Sequence, residues 1–102
     1  MENHFYRTSN KIVEVILDSI LREKSKNPYE NKGIKKAHLM KYCKLKASTA
    51  EKYFKSLEKA GYIKIFEEMR GKRKIIYLDI TDLGRKRYQW FNKINSELSV
   101  AF

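Results

Sequence analysis

The chain has 102 residues and a formal net charge of +11, with 42% hydrophobic and 34% charged residues. That length suits one compact domain, and that balance suits a folded chain rather than a disordered one. No apolar run is long enough to cross a bilayer, and Met1–Asn10 lacks the apolar centre of a signal peptide, so an intracellular, cytoplasmic protein is expected. The single cysteine, Cys43, excludes an internal disulfide and suits a reducing compartment. With His4 and His38 it makes too few ligands for a structural zinc site, so no metal and no cofactor is expected.

The first element is a helix. Ile12, Val13, Ile16, Leu17, Ile20 and Leu21 recur at helical spacing, Ser9 or Asn10 can cap the start, and the run is expected to reach about Lys24. SKNPYENKG, residues 25–33, is turn chemistry, with Pro28 unable to continue a helix. A short helix is expected over Lys35–Tyr42, with Leu39 and Met40 inward, then a turn around Cys43–Lys46. The next helix is expected over Ala47–Ala60, with Ala50, Tyr53, Phe54 and Leu57 in one stripe and Gly61 as a left-handed stop. After Gly61 the period becomes two. Ile63 and Ile65 share one face, as do Ile76, Leu78 and Ile80, and Gly71 lies in the EEMRGKRK loop between the two runs. This reads as an antiparallel hairpin. Thr81 caps a final helix carrying Leu83, Trp90, Phe91, Ile94 and Leu98, and Gly84 early in that helix would allow close packing near the hairpin base.

Charge is unevenly placed along these elements. Lys32–Lys74 holds fourteen basic and four acidic residues, a net of +10, and the rest of the chain holds nine and eight, a net of +1. Concentrated positive charge is the footprint of a polyanion-binding surface, although a lysine-rich solvated face gives the same totals. The order helix, helix, turn, helix, hairpin, helix is a helix-turn-helix followed by a wing: an α+β, mainly α fold of the winged helix-turn-helix class.

The stretch GIKKAHLMKYCKLKASTAEKYFKSLEKAGYI, Gly33–Ile63, resembles archaeal winged-helix DNA-binding proteins, a group that includes small chromatin-associated dimers, MarR- or PadR-like repressors and proteins of archaeal viruses. The matching features are Gly33-Ile34, Leu39-Met40, Leu45, Tyr53, Leu57 and Gly61-Tyr62-Ile63, joined by ITDLGRK at Ile80–Lys86, which looks like the family's step from wing to last helix. One departure is Lys46, where the family usually starts its recognition helix with Ser or Thr. The resemblance implies a single domain over 1–102: an arm at 1–9, a winged core at 10–80 and a dimerisation helix at 81–102. It implies a homodimer on double-stranded DNA, with helix 47–60 in the major groove and the wing, 67–74, on the minor groove or the backbone.

The residues expected to touch DNA are then Lys35 and Lys36 at the short helix, Lys46, Ser48, Thr49, Lys52 and Lys55 on the recognition helix, and Arg70, Lys72, Arg73 and Lys74 on the wing. That helix holds no Arg, Asn or Gln, so the strongest bidentate base readers are missing. On the last helix, Leu83, Trp90, Ile94 and Leu98 make one stripe, with Tyr88, Phe91 and Phe102 elsewhere. Tyr88, Trp90, Phe91, Ile94 and Leu98 are expected at the dimer surface, with Val15 of the first helix adding to it.

A catalytic role is not expected. Cys43 and His38 have no orienting partner, and Gly71 sits in no phosphate-binding glycine pattern. Cys43 is expected to pack inward. A transcriptional regulator leads, associated with the nucleoid, or acting in the host cytoplasm if viral. A non-specific architectural DNA-binding protein and a protein-interaction module are the alternatives. RNA binding through Phe5, Tyr6 or Tyr29 lacks the surface aromatic pattern of sheet-type readers.

Overall fold

In a computed structural model of the chain, residues 9–26 and 33–101 are described. His4, Phe5, Tyr6, Pro28, Tyr29, Lys32 and Phe102 lie outside them, as does nearly all of the expected arm. The element order is α1 (Ser9–Lys26), β1 (Ile34–Lys35), α2 (Lys36–Cys43), α3 (Ala47–Lys59), β2 (Ile63–Arg70), β3 (Arg73–Ile80) and α4 (Asp82–Ala101). The architecture is α+β and mainly helical, with four helices and a three-stranded antiparallel sheet in the order β1-β3-β2. No described helix is long and apolar enough to cross a membrane.

Helical periodicity places the helices within two residues of their expected ends. The strands run further than expected: EEMRGKRK, read as the loop, is mostly strand, with β2 reaching Arg70 and β3 starting at Arg73, because cross-strand pairing continues to the turn. β1 is left out by the sequence reading. Two residues carry no period, and Ile34 becomes a strand residue only because Leu78 lies beside it in β3. The hairpin register runs unbroken from Ile63↔Ile80 to Arg70↔Arg73, leaving Gly71 and Lys72 as the turn.

One hydrophobic core joins α1, through Ile12, Ile16, Leu17 and Ile20, to Ile34, Leu39, Cys43, Ala50, Phe54, Leu57, Ile63, Leu78 and Ile80. The expected stripe of α3 is its buried face, with Tyr53 half-buried at the edge. Cys43 lies inward, 1% exposed.

The end of α3 meets the start of α4 at the hairpin base. Gly61, at φ 84°, sends its N–H to the Glu58 carbonyl at 3.0 Å, and Tyr62 sends its own to Leu57 at 2.9 Å. That paired closure satisfies carbonyls that would otherwise be orphaned at the helix end, and it needs a residue at ease with positive φ. Across the junction, Thr81 accepts the Gly84 N–H at 3.0 Å as the cap of α4, and its hydroxyl donates to the Gly61 carbonyl at 2.5 Å. Gly84 is buried, and a Cβ there would collide with the Tyr62 backbone carbonyl.

Because Gly84 faces the body, Tyr88, Phe91 and Asn95 follow on the same face of α4. Tyr88 donates to the Asp18 carboxylate at 2.8 Å, and Phe91 sets its ring edge-on to Tyr62 with centroids 6.4 Å apart. Both pack on the chain's own core, which leaves each only partly open to the dimer surface expected of them. Val15 is likewise packed against that core. Trp90, Ile94 and Leu98 fall, with Leu83, roughly a quarter-turn around the helix and are exposed, Trp90 to 60%.

Gly84→Ala should therefore lower the melting temperature, at a cost of roughly 1–3 kcal/mol for overpacking against backbone that cannot yield. Thermal unfolding followed by circular dichroism measures it. A stability equal to wild type would show that the junction relaxes freely.

Candidate nucleic-acid interface

On α3, the core stripe of Ala50, Phe54 and Leu57 dictates what the opposite face presents. At 100° per residue that face is Ser48, Lys52, Lys55 and Lys59, all exposed. Lys59 belongs to the stripe although the sequence reading passed over it. Its place four residues beyond Lys55 was the available signal. Thr49, expected to reach out with Ser48, lies half-buried on the flank.

Lys46 is the N-cap residue of α3, extended at φ −64° and ψ 148°, and its side chain makes no capping bond. A lysine there carries no acceptor for the first-turn N–H groups. Those groups stay open to water or to an anion's oxygen. The departure from Ser or Thr does not delay the helix, which starts at Ala47.

The start of α2 lies across from the hairpin. Lys35, Lys36, Arg70, Arg73 and Lys74 rim one open groove of about 480 Å³, whose wall is Ala37, Met40, Ile75 and Ile76. Among the described residues no acidic side chain lines it. The fold thus joins two clusters that are more than thirty residues apart in sequence. Lys72, the second residue of the turn, is exposed beyond the groove at the hairpin tip.

Several of these cations already have partners. Lys36 makes an ion pair with Glu51 of α3, its side chain only 25% exposed. Lys74 holds Glu67 at 3.1 Å, and Arg70 lies 4.0 Å from Glu68 and donates to the Tyr77 hydroxyl at 3.4 Å. Among the described residues, Lys35, Lys46, Lys52, Lys55, Lys72 and Arg73 are the least compensated of the expected cationic contacts. Glu51 and Glu67 were missed as modulators because each acts through a neighbour that the fold brings across, from α2 and from the facing strand, whereas Glu68 lies only two residues from Arg70 on the same strand face, a signal the sequence did carry.

Away from this surface, the α1–α4 seam is polar. Glu14, 7% exposed, accepts Lys11 at 3.0 Å, Asn92 at 2.8 Å and Asn95 at 3.1 Å. Burial, together with the Asp18 carboxylate that accepts its proton, raises the Tyr88 phenol above its ordinary value. Among the described residues no group of three or more His, Cys, Asp or Glu side chains is placed to hold a metal ion.

No protein-family model matches the sequence, and no curated protein matches it.

Retention on a polyanion resin should separate free cations from paired ones. Lys35→Ala and Arg73→Ala should elute at clearly lower salt than wild type, Lys36→Ala should shift less, and Glu51→Gln should elute later by releasing Lys36. Equal shifts for Lys35→Ala and Lys36→Ala would show that the Glu51 contact does not hold in solution.

Proposed function

We propose that this is a double-stranded DNA-binding protein of the winged-helix type, acting as a homodimer in transcriptional regulation. The observation that carries the reading is the outward face of α3. It is a continuous stripe of Ser48, Lys52, Lys55 and Lys59, on a helix whose other side is locked into the core. In this reading α3 enters the major groove, with Ser48 nearest the base edges and the lysines on phosphates. The β2–β3 hairpin is the wing, placing Arg70, Lys72 and Arg73 on the minor groove or backbone, and Lys35 touches the backbone beside it.

The composition of that stripe also supports an architectural role. Lysines on phosphates hold a duplex without reading it, and Ser48 alone gives little discrimination. Binding to a selected pool against random duplexes separates the two roles. The lysine stripe on α3, which lies outside the groove, is what favours DNA binding over a protein-interaction module.

Log affinity for a duplex should fall linearly with log salt, with a slope of about −4.5 if roughly five phosphates are neutralised. Arg70→Ala with Arg73→Ala should flatten the slope by about 2 and weaken all sequences alike. Duplex binding that ignores salt, or its absence at low salt, would overturn the DNA reading.

The homodimer rests on Leu83, Trp90, Ile94 and Leu98, an exposed apolar stripe on a twenty-residue helix. Trp90→Glu should give a folded monomer in sedimentation at micromolar concentration. Phe91→Glu should instead destabilise the chain itself, because Phe91 packs on Tyr62. A wild-type monomer at that concentration would remove the dimer from the reading.

A further inference from the structure

The groove between α2 and the hairpin has features that duplex DNA does not use. Its floor is a sheet edge. A two-residue turn makes Arg70 and Arg73 a hydrogen-bonded pair, so the main-chain groups of residues 73, 75 and 77 point to β2. Those of residues 74, 76 and 78 point the other way. Leu78 meets Ile34 of β1, but β1 ends at Lys35, opposite Tyr77. Among the described residues no strand lies beside the N–H and C=O of Lys74, which face the groove, and an open edge of this kind is a template for a further strand.

The two sides of that edge differ in chemistry. Register puts Lys35 with Tyr77, and Arg70 with Arg73, so three cations share the outer face of the sheet. Ile75 lies among them on that outer face, while on the inner face the edge meets Lys74, whose ammonium is held by Glu67 at 3.1 Å, then Ile76 and, from α2, Met40, the last two partly packed on the core. A strand laid here would have one set of alternate residues beside Lys35, Arg70 and Arg73, and the other beside the aliphatic stem of Lys74, Ile76 and Met40.

We infer that this groove docks an extended protein segment in which acidic and apolar residues alternate, added as a strand to the edge of β3 at Lys74. Charge complementarity selects the acidic positions: three cations rim the outer face, only Arg70 of them near an acid, Glu68 at 4.0 Å, and no described acidic residue lines the groove. The edge and the wall select a peptide over a nucleic-acid backbone. Phosphates carry acceptors only, so they leave the Lys74 carbonyl without a donor and gain nothing from Met40 and Ile76. The inference stands without the DNA reading. Where both hold, the segment and the duplex compete for Arg70 and Arg73.

The test uses an end-capped, fluorescein-labelled octapeptide of alternating Glu and Val, titrated with the full chain and read by anisotropy. A duplex is titrated in parallel. Lys74→Ala removes the side chain and keeps the N–H, whereas Lys74→Pro removes both, and an edge strand tolerates proline where its N–H faces outward. Relative to Lys74→Ala, Lys74→Pro should weaken the peptide by about tenfold, the loss expected for a main-chain bond whose acceptor is left unpaired. Duplex affinity should be the same for the two variants. In the wild-type chain the peptide should also slow hydrogen exchange at the Lys74 amide, a readout that does not require the proline variant to fold. No saturable peptide binding, equal binding by folded Lys74→Pro and Lys74→Ala, or an unprotected Lys74 amide in the peptide-saturated protein would each overturn the proposal. Loss of duplex binding in every variant, with the peptide result intact, would overturn only the DNA reading.

Discussion

The backbone carbonyl of Tyr62 lies where α3 has just ended, where the hairpin closes and where α4 begins. It accepts the Thr81 N–H at 3.0 Å, and Gly84 passes so close above it that no side chain fits between them. Thr81 adds its hydroxyl bond to the Gly61 carbonyl. These contacts set the direction of α3, the hairpin and α4 relative to one another. Any surface assembled from α3 and the hairpin depends on that junction, as does the side of the molecule on which the apolar stripe of α4 emerges. A backbone-to-backbone approach holds such angles better than side-chain packing does, because backbone has no rotamers through which to yield.

The electrostatics of the basic surface are graded rather than uniform. An exposed ion pair contributes about 0–1 kcal/mol, so the Glu67–Lys74 contact is easily exchanged for a phosphate or a carboxylate from outside. The Lys36–Glu51 pair is less exposed on the lysine side and also ties α2 to α3. Such acids lower the affinity that a count of cations alone would give, while leaving the sign of the field unchanged. In physical terms, a surface of this kind favours fast, salt-sensitive encounter over tight, irreversible capture.

The seam between α1 and α4 has a different character. Glu14 is buried but accepts from Lys11, Asn92 and Asn95, and Asp18 accepts from Tyr88 and pairs with Arg22 at 2.8 Å. A satisfied buried carboxylate adds little net stability over an apolar pair, yet it penalises any rotation of α4 that would unpair it. The polar seam thus specifies which face of α4 turns inward. It leaves Trp90, Ile94 and Leu98 outside, where the helix's own hydrophobicity would otherwise have competed to bury them.

The sequence by itself determined the succession of helices, the hairpin with its turn at Gly71, the stop at Gly61 and the cap at Thr81. These depend on periodicity and on conformational preferences that act over a few residues. It also determined that α3 has a buried stripe and hence that Lys52 and Lys55 face away from it. Tertiary structure alone decided the rest. β1 exists because β3 is beside it; Lys36 is compensated because α3 brings Glu51 across; Lys35 and Arg73 share a groove because α2 packs against the hairpin. Tyr88 and Phe91, not Trp90, face the body because a glycine at position 84 approaches a carbonyl twenty-two residues back in the chain. Periodicity shows that a helix has an apolar side, but when apolar residues spread over more than one face, only the neighbour it packs against selects which of them is buried.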